Sequence, residues 1–80
     1  MSFAALLDAA SKRPADPDAI ADLADAALQE GEEGRALPII DKAVAGVSVA
    51  HLWQWKGLLE RSLDEHERAH ASFGEAARLD

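Results

Sequence analysis

The chain has 80 residues, enough for one small domain that buries roughly two thirds of its unfolded surface and too few for a deep catalytic cleft. Almost half of the residues are apolar, with alanine dominant and aromatics scarce, and 15 acidic against 8 basic residues leave a net charge of −7, which repels a phosphate backbone or an anionic membrane. Cysteine is absent, so disulfides and thiolate metal sites are excluded, no apolar run reaches membrane-spanning length, and MSFAALLDAASKR places its charges after its apolar residues, the reverse of a secretory signal. The expectation is an all-α, cytoplasmic protein for which neither nucleic acid nor a membrane is a partner.

Five helices are expected in chain order. Phe3, Leu6, Leu7 and Ala10 make one apolar stripe at i, i+3, i+4, i+7, closed by Pro14. Asp16 supplies an N-cap and Pro17 the first helical position of a second helix that runs to about Glu30 and stops at Gly31. The third spans Arg35 to Ala45, with Pro38 close enough to its first turn to be tolerated, and ends at Gly46. Ser48 is the expected N-cap of the fourth, with Val47 and Leu52 as a hydrophobic staple. The fifth starts after Asp64, whose cap is answered three residues later by Glu67 in a capping box.

Displacing the chain against itself by 33 residues superposes Ile20 on Trp53, Ala24 on Gly57, Ala36 on Ala69, Ile40 on Phe73 and Ala43 on Ala76. Small residues fall on small ones and bulky on bulky, which is the signature of a repeated helix-turn-helix unit. Gly57 and the alanines at 24, 36, 43, 69 and 76 allow two antiparallel helices to approach closely, while Trp53, Phe73, Ile20 and Ile40 fill the spaces between them.

The second unit resembles the tetratricopeptide repeat family. Trp53 and Gly57 hold that family's Trp and Gly places, Ala69 and Phe73 its Ala-x3-Phe places, Ala76 the next small place, and Leu79-Asp80 the usual end of a unit before Pro. Lys56 stands where the family has Leu and Glu60 where it has an aromatic, and the first unit has Ile20 for Trp and Ala24 for Gly. The resemblance implies a short right-handed α-solenoid over the whole chain: a half repeat at 1–14, one repeat at 17–48 and another at 50–80.

HERAH, from His66 to His70, has the His-Glu-x-x-His form in which two histidines hold zinc and the glutamate serves as general base. The surroundings argue otherwise. The extended motif requires Gly at 73 and His at 76, where Phe73 and Ala76 stand, no strand is expected, and Glu67 has an ordinary task in the capping box. Incidental weak binding of a divalent ion by His66 and His70 is the remaining metal reading. No catalytic residue, resident metal or cofactor is expected.

Asp18, Asp22 and Asp25 line the second helix opposite Ile20, Leu23 and Ala27. They form either a solvated face or, on the side that the family resemblance assigns to its concave groove, a surface favouring basic partners. His51, Gln54, Leu58, Arg61 and Ser62 are the matching groove candidates of the fourth helix. Trp55 is either an interface anchor or packed on the preceding helix. The Lys and Asn set by which some family members hold a C-terminal carboxylate is not reproduced.

Two and a half units without a polar capping helix leave two expectations: more chain follows, or another chain covers the last face, where Phe73, Ala77 and Leu79 would otherwise be exposed. The expected function is a protein–protein interaction scaffold that also self-associates through its C-terminal repeat. The alternative is a non-catalytic accessory domain of a bacterial enzyme, since proteins resembling this one often carry a sulfotransferase or Fe(II)/2-oxoglutarate oxygenase domain.

Overall fold

The structure, a computed structural model, describes residues 2–13 and 15–80. It is all-α, with helices α1 (Phe3–Lys12), α2 (Pro17–Glu30), α3 (Glu33–Gly46), α4 (Ala50–Ser62) and α5 (His66–Leu79), and no strand among the described residues. Successive helices pack on one another, as short connections require.

Helix ends follow local chemistry. Ser2 caps α1 by accepting from the Ala5 N–H, and Asp16 caps α2 by accepting from the Asp18 N–H at 3.0 Å, with Pro17 next in line. Gly31 closes α2 at φ 70° in the left-handed region, and the Glu32 N–H returns to the Ala27 carbonyl. The Pro14 stop expected after α1 lies outside the described residues.

Two expected caps are corrected. Val49, not Ser48, precedes α4, and the Ser48 hydroxyl instead accepts from the Trp53 indole N–H at 3.0 Å. With Val49 at the cap, this hydrogen bond joins the two positions that a staple takes, while Val47 packs against the core that contains Leu52. Asp64 does not cap α5. It closes α4, at φ 61°, with its N–H on the Arg61 carbonyl and the Glu65 N–H on the Glu60 carbonyl. Glu65 precedes α5 without a side-chain cap, so the Asp64–Glu67 capping box is absent.

The third helix starts two residues earlier than expected, at Glu33, which moves Pro38 into its second turn. The proline removes the donor that the Gly34 carbonyl would use, and both residues are exposed, which leaves that carbonyl open to solvent.

The 33-residue register reappears in the backbone. Gly31 and Asp64 both take the left-handed turn, and the pairs Glu32–Arg35 and Glu65–Arg68 each form an i,i+3 ion pair just after it. Ile20, Leu23, Ala24, Ala27, Ala36, Ile40, Ala43, Leu52 and Leu59 lie within one apolar core built by α1 to α4, and the Arg35 guanidinium stacks 5.1 Å from the Phe3 ring to tie α3 to α1. Trp53 and Phe73 sit only half-buried at the margin rather than filling that core. Phe73 closes on Gly57, where an added Cβ would lie 2.7 Å from the ring. The backbone of α5 packs on α4 alone, and the helix adds no residue to the shared core.

Candidate functional site

The most unusual chemistry in the fold is a charged cluster at the junction of α3, α4 and α5. Lys56 and Glu60 are one turn apart on α4, and the Glu60 side chain has no exposed surface. Burying a carboxylate is costly unless it is paired and hydrogen-bonded, so its partners matter. Lys56 Nζ lies 2.6 Å from Glu60 Oε2 and donates to the Ser72 hydroxyl at 3.2 Å, while Ser72 in turn donates to Glu60 Oε1. Arg68 Nε stands 3.5 Å from Glu60 Oε2, and its guanidinium reaches Asp41 at 3.7 Å.

Two carboxylates thus face two cations, and the formal charges cancel. Lys56 also lies 3.4 Å from Asp41 Oδ1, which is buried and has no hydrogen-bond donor. The ammonium therefore neutralises Asp41 without the alignment of a hydrogen bond. Ser72 is 1% exposed and its hydroxyl donates to a carboxylate, so it is no accessible nucleophile. The cluster orders helices. Beside it an open groove of about 400 Å³ is lined by Trp53, Lys56, Arg68, Ala71, Ser72 and Glu75, with Lys56 5.5 Å from the Trp53 ring centre.

The expected α4 stripe is found on that helix as a mixture of anchors and rim. Trp55 and Leu58 are half-buried, while His51, Gln54 and Arg61 are exposed. Trp55 packs against the core and donates its indole N–H to His51 Nε2 at 3.1 Å, the two rings meeting edge to face. Arg61 lies 5.9 Å over the Phe73 ring, and the Ser62 hydroxyl donates to Glu33 of α3. That hydroxyl holds the Glu33 carboxyl below its usual range, helped by the residue's own backbone N–H.

The acidic stripe stands apart. Asp18, Asp22 and Asp25 are not buried, and Asp25 accepts from the Gln29 amide at 3.1 Å. Asp22 and Asp25 line a shallow groove of about 330 Å³ made by α1 and α2 with Leu6, Ala26, Gln29 and Glu30. No α4 residue contributes to its lining.

In HERAH, His66, Glu67 and His70 are all exposed, and His66 lies 3.6 Å from Asp64. Among the described residues no three His, Cys, Asp or Glu side chains come together as a metal site, and no helix is long and apolar enough to cross a membrane. The chain matches no protein-family model, no curated protein and no solved structure.

Sequence reasoning singled out the α2 and α4 stripes and passed over Asp41, Arg68 and Ser72. The signal was nevertheless present. Lys56 and Glu60, noted as departures at apolar places of the repeat, are an i,i+4 pair of opposite charge on the inner side of a helix.

Proposed function

We propose that the chain is a cytoplasmic protein-binding scaffold made of tetratricopeptide-type helix pairs, which holds a protein or peptide partner and also self-associates through its C-terminal unit. The observation that carries this reading is the α4 stripe, where the half-buried Trp55 and Leu58 lie among the exposed His51, Gln54 and Arg61. Apolar anchors inside a polar rim are the composition of binding hot spots. The 33-residue register supports the repeat assignment, and the packing of the α5 backbone on α4 alone supports association at that end. The solvent-facing aspartates of α2 favour a partner bearing Lys or Arg.

Selection from a random peptide library displayed on phage tests the reading. Apolar-basic peptides are expected, with binding lost in Trp55→Ala and weakened, increasingly so at low salt, in Asp22→Asn/Asp25→Asn. A selection that returns no enriched sequence, or peptides indifferent to Trp55→Ala, rejects it.

A further inference from the structure

The connection between α4 and α5 differs from the other three. The first carries Pro14, the second Gly31, and the third is Val47-Ser48-Val49, with two β-branched residues. Leu63-Asp64-Glu65 contains no Gly, Pro or β-branched residue. It turns only because Asp64 adopts φ 61°, a left-handed conformation that a Cβ disfavours. At the corresponding place 33 residues earlier Gly31 makes the same turn at φ 70° without that penalty.

The flanking sequence favours a straight helix instead. Leu59, Glu60 and Arg61 before the turn and Glu65, Glu67, Arg68 and Ala69 after it are good helix formers. The turn is closed by the Asp64 and Glu65 N–H groups on the Arg61 and Glu60 carbonyls and by the docking of α5 on α4. That docking is separable, because the α5 backbone rests on α4 alone, reaches α3 through the Arg68–Asp41 ion pair, and lies outside the core shared by α1 to α4.

We infer that Leu63–Glu65 is a hinge: on opening, α4 and α5 fuse into one helix of about 45 Å, and the α5 half docks on α4 of a second copy. Short strained hinges favour such exchange. The inference rests on the self-association proposed above and specifies its geometry. The side-chain contacts between α4 and α5 and the tie to α3 are regained between copies, with Ser72 and Arg68 of one chain meeting Lys56, Glu60 and Asp41 of the other, and Phe73 covering Gly57. The relief of Asp64 is the added gain.

The test uses the full chain and two substitutions at the hinge. Sedimentation equilibrium should show a dimer whose affinity falls about tenfold in Asp64→Gly, which relaxes the closed turn and disfavours the fused helix, and rises in Asp64→Ala, which suits only the straight helix. In dimers refolded from equal amounts of ¹³C-labelled and unlabelled chain, isotope-filtered NOEs between the Gly57 Hα and the Phe73 ring should be intermolecular. A dimer in which that contact stays within one chain, or whose affinity ignores both substitutions, overturns the hinge and leaves self-association standing. An Asp64→Ala chain that is folded and strictly monomeric at millimolar concentration overturns both.

Discussion

Leu23, Ala27 and Ile39 in the first unit and Lys56, Glu60 and Ser72 in the second occupy the same register, 33 residues apart. Leu23 and Ala27 are fully buried and Ile39 half-buried, and in the second unit Glu60 and Ser72 are buried almost as completely, with Lys56 nearly so. These three places face inward in both units, filled by apolar residues in the first and by charged or polar ones in the second. What differs is the kind of cohesion. The apolar set is held by non-directional burial and merges into the core of α1 to α4. The charged set holds α5 through aligned ion pairs and hydrogen bonds, which constrain its angle and register more than they stabilise it.

Four perturbations would break or sharpen this contrast. Ile40→Ala in the shared core is expected to cost about 2–5 kcal/mol, lowering protection of α1 to α4 together in native-state hydrogen exchange. Glu60→Ala leaves Lys56 and Arg68 facing one carboxylate fewer, at about 3 kcal/mol, and should deprotect α5 first while α1 to α3 stay closed. Equal deprotection of all five helices would mean that the two kinds of cohesion are not separable. Gly57→Ala gains helix propensity but drives a Cβ into the Phe73 ring, for a net loss of about 1 kcal/mol in thermal unfolding.

The smallest effect concerns acid. The Ser62 hydroxyl lowers the Glu33 pKa, so this tie between α3 and α4 stabilises the fold above the carboxylate's unfolded value and is lost as pH falls through the lowered one. Thermal unfolding from pH 6 to pH 3 should show a slightly shallower decline for Ser62→Ala than for the parent chain, small because the carboxylate is screened by water.

The legibility of the fold varied with how many tasks a residue type can perform. Asp16-Pro17 and Gly31 have one good use each at a helix start or stop, and all three are found in it. Ser48 and Asp64 have several. A serine before an apolar run can cap, but here an indole N–H competes for its hydroxyl; an aspartate before a helix can cap, but it is also among the few side chains that tolerate a left-handed turn. The apolar stripes and small-residue contacts followed from periodicity. Of the site, the α2 and α4 stripes were legible because each lies on one helix. Asp41, Arg68 and Ser72 were not, since their meaning comes from three helices meeting, which no single periodicity displays.

Both tryptophans of the chain lie on α4, two residues apart, with their indole N–H groups on different acceptors. Both pack against the apolar core, but Trp53 also borders the groove beside α5, under the Lys56 ammonium, while Trp55 stands beside His51. The protein therefore carries its own pair of optical reporters. In Trp55→Phe the remaining emission follows the α5 side, and in Trp53→Phe it follows the core, so fluorescence of two single-tryptophan chains can time the release of one region against the melting of the other.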